Sequence, residues 1–214
     1  MTRWDAGDIA DALGRALAAR AEAIEAEQAV VGIDMLDELE LHPVVAQGLR
    51  GRGLGVYREE RYPRDRERRR RSQGERCDFV LTPEGKALVR PDREATIFAP
   101  PDAVPVHAAY WLEVKVVAQF TTEGANRRYA AELVSPVQQD VKKLAKDPDI
   151  CHCGQALVLF TADESVAEHD LGIWAQKAHR RGLPVSVPYV RRLRIPDRVG
   201  NTLCTMALFP IKGA

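Results

Sequence analysis

Residues 108–120, AAYWLEVKVVAQF, constrain the fold of this chain more than any other stretch. Aromatic and β-branched residues dominate it, which is typical of a strand in the middle of a sheet. Glu113 and Lys115 nevertheless interrupt the apolar run. Because side chains alternate faces along a strand, these two charged groups point one way, while Leu112 and Val114 point the other. Burying a carboxylate and an ammonium costs more desolvation than burying an apolar pair, so we expect a functional site here.

A second predicted strand supplies another carboxylate. The segment CDFVLT, residues 77–82, is mostly apolar, carries Asp78 and ends at the turn sequence PEG. If it pairs with the strand of Glu113, the two carboxylates converge at one edge. Two oxygen ligands with open positions suit Mg²⁺, and Lys115 beside them can hold a water or stabilise a phosphate. The alternatives are an exposed Glu113–Lys115 ion pair and an Asp78 that caps a turn.

The rest of the chain predicts helices and strands in alternation. The order is helix, three strands, helix, strand, helix and strand, which indicates an α/β fold with a mixed sheet flanked by helices. Ser135 and Pro136 are typical of a helix start, as N-cap and first residue. The predicted helices cover residues 8–30, 34–50 (or from near Glu40, because of Pro43), 135–146 and 165–181, and the later strands cover 155–163 and 201–210.

Asp78 followed by Glu113-Val114-Lys115 resembles the signature of the PD-(D/E)XK nuclease superfamily, whose members have the restriction-endonuclease-like fold. The order of elements from residue 34 to 209 is similar as well, because that family's core is a helix, a three-stranded meander, a helix and a strand. The resemblance implies a Mg²⁺-dependent deoxyribonuclease, an endonuclease in which Mn²⁺ can substitute. Asp78, Glu113 and the Val114 carbonyl would hold the metal, and Lys115 would serve the water and the scissile phosphate.

The resemblance implies further site residues on two helices. The family carries an acid on the helix before the meander, and ELELHP offers Glu38 and Glu40. We prefer Glu40 because it lies nearer the apolar face that starts at Leu41. Some branches use a glutamine on the following helix, and Gln138 or Gln139 matches that position. The simpler alternatives are solvated helix residues at all these positions.

A basic segment precedes the strand of Asp78. Residues 61–76 contain eight arginines and three acids, a net charge of +5. Arginine binds phosphate in a bidentate manner, so we expect this segment to contact the DNA backbone, chiefly through four consecutive residues: Arg68, Arg69, Arg70 and Arg71. The alternative is a solvated loop without a ligand.

The first 33 residues precede every element that the resemblance explains. We therefore expect a helical extension at residues 1–33 and a nuclease-like domain at 34–214. The extension carries a narrow apolar stripe that must dock on its own core or on a second copy, formed by Ile9, Leu13, Leu17 and Ile24. Two-fold pairing is the commonest way to present two sites to a duplex, so we expect a homodimer.

Composition predicts where in the cell the protein is found, and the motifs leave a second function open. The formal net charge is zero, so nucleic-acid binding must come from local patches. Four cysteines suit reduced thiols, and no apolar run is long enough for a membrane span, so we expect a cytoplasmic protein. The rival is a non-catalytic nuclease-like domain that binds nucleic acid or a protein partner. The intact Asp, Glu and Lys favour the enzyme, because a binding module has no need of such costly buried charges.

Overall fold

The computed structural model describes residues 4–67, 74–89, 100 and 102–212 of the 214-residue chain. None of the helices in these ranges is long and apolar enough to cross a bilayer. The elements in chain order are α1 (Ala6–Ala26), α2 (Glu38–Gly51), β1 (Gly55–Arg61), β2 (Arg76–Thr82), β3 (Leu88–Val89), β4 (Val104–Pro105), β5 (Tyr110–Ala118), β6 (Phe120–Thr121), β7 (Gly124–Ala125), α3 (Tyr129–Lys146), β8 (His152–Thr161), α4 (Glu164–Arg180), β9 (Tyr189–Arg194) and β10 (Leu203–Lys212).

Six strands form one sheet in the order β1-β2-β5-β8-β10-β9. Neighbouring strands are antiparallel except β5 and β8, which run parallel. A parallel pair requires a crossover connection, and α3 provides it. Helices α1 and α2 pack on one face of the sheet, and α3 and α4 pack on the other. The predicted class, an α/β fold with a mixed sheet flanked by helices, is therefore confirmed.

Strand β5 is buried because helices cover both of its faces. Leu112 and Val114 lie in the core under α1 and α2, whereas Trp111 and Val117 lie in the core under α3 and α4. Glu113 falls between Trp111 and Val117 in the alternation, so its side chain points to the α3 face. The residue is only 4 % exposed. The predicted buried strand is confirmed, and Glu113 lies in the interior rather than on a solvated face.

Helix α1 docks on its own chain. Asp5 caps it, since the Asp5 carboxylate accepts hydrogen bonds from the first turn. Its inner face packs against α2, β9 and β10. Burying each large side chain there contributes about 1.5–3 kcal/mol. Contacts within one chain therefore account for the burial of the apolar stripe. The homodimer stays a prediction, but the stripe no longer supports it. The buried stripe consists of Ile9, Leu13, Leu17 and Ile24.

Helix α2 starts at Glu38, later than the beginning of the predicted helix 34–50. The start is fixed by a capping box. Asp37 accepts the N–H of Glu40, and Glu40 accepts the N–H of Asp37, both at 2.8 Å. Pro43 lies inside α2 without ending it.

Helix α3 starts at Tyr129, six residues before the predicted N-cap Ser135. Leu133 and Val134 are buried and extend the apolar stripe upstream, so the additional turn is stabilised by packing. Ser135 is exposed within the helix, and Pro136 follows it there. The prediction that these two residues start the helix is wrong, because tertiary burial outweighs the local start signal.

Strand β9 is not indicated by the apolar pattern. Its sequence, YVRRLR, carries three arginines, and it lies at the edge of the sheet with no buried residue. An edge strand with charged side chains lacks the alternation that identifies a half-buried strand. The four two-residue strands, β3, β4, β6 and β7, are too short to produce a pattern at all.

Candidate functional site

Asp78 and Glu113 meet where β2 and β5 stop pairing. The last paired residues are Phe79 and Leu112, and the next antiparallel step brings Asp78 opposite Glu113. Beyond that point, Asp78 Oδ2 accepts the N–H of Val114 at 2.8 Å. The two side chains are close enough that the charge of Asp78 raises the pKa of Glu113. Adjacent central strands thus place two acids side by side.

Glu113 resists ionisation. Burial raises the pKa of Glu113 well above its ordinary value, and the neighbouring Asp78 raises it further. The Tyr62 hydroxyl donates a hydrogen bond to Glu113 Oε1 and offsets part of this rise in pKa. Tyr62 is held in turn by stacking on Trp111, with ring centroids 5.8 Å apart. A buried carboxyl group beside a second, partly buried one is typical of cation sites and of acid–base sites.

Lys115 is held by an acid from α2. Its Nζ lies 2.8 Å from Glu38 Oε2, and the N–H of Val116 donates to the same oxygen at 3.4 Å. Burial lowers the pKa of Lys115, but the hydrogen bond and charge of Glu38 outweigh burial and the net pKa is raised. Lys115 therefore remains an ammonium at neutral pH, on the same side of β5 as Glu113.

Glu40, the acid preferred from the sequence, does not make this contact. Its carboxylate closes the capping box at Asp37, and the residue is exposed. Glu38, two residues earlier, reaches β5 instead. Closeness to the apolar residue Leu41 was the wrong criterion, because the first residue of α2, rather than its buried face, lies beside β5.

A third carboxyl group, which no motif indicates, approaches from α3. The side chain of Asp140 is 13 % exposed and forms an ion pair with Lys143 at 3.1 Å. Burial raises the pKa of Asp140, and Lys143 offsets part of the rise. The charge of Asp140 in turn helps to raise the pKa of both Glu113 and Lys115. The available sequence signal is helical position, since Asp140 lies next to the buried Val141.

The two predicted auxiliary residues on α3, Gln138 and Gln139, differ in their surroundings. Gln138 is buried between helices, where its Oε1 accepts a hydrogen bond from Arg181 at the end of α4. Gln139 is exposed. Asp140, the next residue along, is the member of this run whose charge acts on Glu113.

His42 and Glu59 approach Asp78 from α2 and from β1, respectively. One ligand atom from each of the three residues lies within 4.8 Å of the others. His42 Nε2 is 3.9 Å from Asp78 Oδ1. The sequence offers no clear signal for this group, because His42 and Glu59 stand alone on different predicted elements.

A cation suits this set of donors. Asp78 and Glu113 are hard oxygen ligands, and the pKa of Glu113 is raised by burial first and then by the negative charges of Asp78 and Asp140. A bound divalent cation would offset those negative charges and favour the ionised carboxylates. The Val114 carbonyl stays a predicted ligand; its own N–H is the group that contacts Asp78.

Basic side chains line a groove next to Tyr62. The groove also contains Asp65, Glu75 and Asp147, so its charge is mixed. Lys142 and Lys146 are exposed there. The predicted phosphate-binding residues Arg68, Arg69, Arg70 and Arg71 lie outside the described residues. The cationic residues of the groove are Arg64, Lys142, Lys143 and Lys146.

Comparison with known proteins adds no assignment. No family model, no curated protein and no solved structure matches the chain. The function must therefore be inferred from the residues of the site.

Proposed function

We propose that the chain is a metal-dependent deoxyribonuclease with a restriction-endonuclease-like core. The observation that carries the proposal is the convergence of Asp78 and Glu113 from adjacent central strands, with Lys115 two residues after Glu113 on β5. A structural domain gains nothing from a buried carboxyl group, Glu113, beside a partly buried one, Asp78; the pair costs stability unless a ligand or a proton compensates it.

The element order supports the same proposal. Helix α2, the antiparallel run β1-β2-β5, helix α3 and the parallel strand β8 follow the order of the PD-(D/E)XK core, a helix, a meander, a helix and a strand. Fold alone does not imply function. The proposal therefore depends mainly on the positions of Asp78 and Glu113 within that order of elements.

The metal would be Mg²⁺, with Mn²⁺ as a substitute, held by Asp78, Glu113 and the Val114 carbonyl. When bound, such an ion neutralises charge on a phosphodiester and lowers the pKa of its water. Lys115 places a fixed positive charge beside these metal-binding groups. There it can orient a water or stabilise the charge that develops on the phosphate oxygens. Glu38 positions the Lys115 ammonium, and Tyr62 positions the Glu113 carboxylate.

Cationic side chains outside the site support DNA as the substrate. The exposed Lys142 and Lys146 line the groove that reaches Tyr62, and the groove thus leads towards Glu113. The four arginines 68–71 lie in the segment that joins β1 to β2. Cationic side chains of this kind bind nucleic acid through its backbone, without regard to sequence.

The test is cleavage of supercoiled plasmid by purified protein. We expect nicked or linear product with Mg²⁺ or Mn²⁺, and none after chelation with EDTA. A protein that binds DNA but leaves the plasmid intact with both ions would contradict the proposal and favour the non-catalytic nuclease-like domain.

A further inference from the structure

His42 is a buried imidazole without a hydrogen-bond partner among the described residues. It is 1 % exposed, and neither ring nitrogen has a partner. Its ring packs edge-on against Phe79, with centroids 5.1 Å apart. A buried polar group left without a partner destabilises the fold, so a leucine would fill this place at lower cost. A ligand that takes one of these nitrogens would remove much of that cost.

The Nε2 atom of His42 is aimed at Asp78. The 3.9 Å from Nε2 to Asp78 Oδ1 is too long for a hydrogen bond. Two ligand atoms that each lie about 2.1 Å from one ion are themselves roughly 3 to 4 Å apart. A carboxylate oxygen of Glu59 completes the group, and the three ligand atoms lie within 4.8 Å of one another. These separations suit a shared cation better than direct contact.

Asp78 can contribute a ligand to two sites because its two carboxylate oxygens contact different groups. Oδ2 accepts from Val114 on β5, whereas Oδ1 is the oxygen paired with His42 on α2. The ladder between β1 and β2 omits Glu59 and Asp78, which stand opposite each other in its register. His42 and Glu59 therefore approach Asp78 from elements other than the strand of Glu113.

We propose that His42, Glu59 and Asp78 form a second divalent-cation site that shares Asp78 with the site proposed above. A nitrogen ligand suits borderline transition-metal ions such as Mn²⁺, Co²⁺ and Zn²⁺, whereas Mg²⁺ prefers oxygen ligands. The ion at this site is therefore a transition metal even where Mg²⁺ serves beside Glu113. The proposal extends the proposed function, but ion binding at His42 is measurable whether or not the chain cuts DNA.

The experiment is a calorimetric Mn²⁺ titration, paired with the absorption spectrum of bound Co²⁺, on the full chain. We expect two Mn²⁺ ions per wild-type chain and one in His42→Leu and in Glu59→Gln, or binding weakened by at least about tenfold. The Co²⁺ spectrum should change in both variants. His179→Ala, which removes an exposed histidine of α4, is the matched control and should resemble wild type.

Two further comparisons keep the inference separate from the nuclease. His42→Leu should stay folded in EDTA; if it does not, the exposed Glu59→Gln decides the question. Glu113→Gln should lose the ion beside Glu113 but keep the Co²⁺ signal that depends on His42. If the plasmid stays intact while that signal is present, the nuclease proposal fails and the second site stands. One Mn²⁺ per wild-type chain, with unchanged binding in His42→Leu and Glu59→Gln, would overturn the second site.

Discussion

At the scale of single residues, Glu113 dominates the electrostatics of the site. Burial and the neighbouring Asp78 raise its pKa in the folded chain, whereas in the unfolded chain it titrates near its ordinary value of about 4.3. Between those two values the folded state binds more protons than the unfolded state. The contribution of Glu113 to the free energy of unfolding in metal-free buffer therefore falls as pH rises through this window.

Glu113→Gln should remove that pH dependence. We expect the variant to be more stable than wild type by about 1–2 kcal/mol at neutral pH in EDTA. The difference should shrink as the pH falls below about 4, where the wild-type carboxyl becomes protonated in both states. Urea unfolding at several pH values measures it. Glu22→Gln on the exposed side of α1 is the control; an equal gain in that variant would show that the effect does not come from the site.

Substitutions at Glu38 and at the capping box of Glu40 should have different effects on the cleavage rate and on the free energy of unfolding. Glu38→Gln weakens the ion pair that positions Lys115, so cleavage should slow by roughly 10-fold or more, with little loss of stability. Glu40→Gln keeps a capping side chain and should leave cleavage unchanged, whereas Asp37→Ala should cost about 0.5–2 kcal/mol of stability. Cleavage rates and urea unfolding report the two effects. Slower cleavage in Glu40→Gln with normal cleavage in Glu38→Gln would reverse the assignment.

At the scale of elements, α1 is part of the core on the α2 side of the sheet. Leu17 is 2 % exposed, within the cluster that joins α1 to α2 and the sheet. Leu17→Ala should lower the free energy of unfolding by about 2–5 kcal/mol and leave the molecular mass in solution unchanged. Unfolding curves and light scattering measure the two quantities. A change in mass without loss of stability would mean that α1 serves chiefly to join two copies.

The arginine segment should contribute phosphate contacts without sequence preference. Changing Arg68, Arg69, Arg70 and Arg71 to alanine should weaken binding to all DNA sequences alike. The plot of log affinity against log salt should flatten by about 0.9 for each lost contact. Arg15→Ala, on the exposed side of α1, is the control. A salt dependence that does not change would show that the segment is only solvated.

Elements with a strong apolar period were predictable, and those positioned by distant contacts were not. β5 is identified by its own run of β-branched and aromatic residues, because burial on both faces leaves a local signal. The start of α3 was misplaced, since Leu133 and Val134 are buried by tertiary contacts that outweigh the signal at Ser135 and Pro136. β9 carries charges along a sheet edge and leaves no apolar period.

At the scale of the whole molecule, the layered fold assembles the site from five parts of the chain: β2, β5, α2, α3 and the residue after β1. Asp78 and Glu113 were predictable as neighbours because both are charged residues inside apolar strands. Tyr62 and Asp140 are not indicated by the sequence, and Glu38 is offered there only as the less favoured alternative to Glu40, since each enters from a separate element whose placement depends on the packing of the helices. The sequence pattern therefore identifies the two carboxylates on the strands. The groups that hydrogen bond to the site residues or change their pKa values are identified from the tertiary structure.

The most direct test of the central claim is plasmid cleavage by folded single variants in Mg²⁺. Asp78→Asn, Glu113→Gln and Lys115→Met should each reduce the cleavage rate by at least about 100-fold while retaining the wild-type circular dichroism spectrum. Lys177→Met, on the exposed side of α4, should cut as wild type does. Cleavage at the wild-type rate by all three site variants would contradict the account and place the site elsewhere.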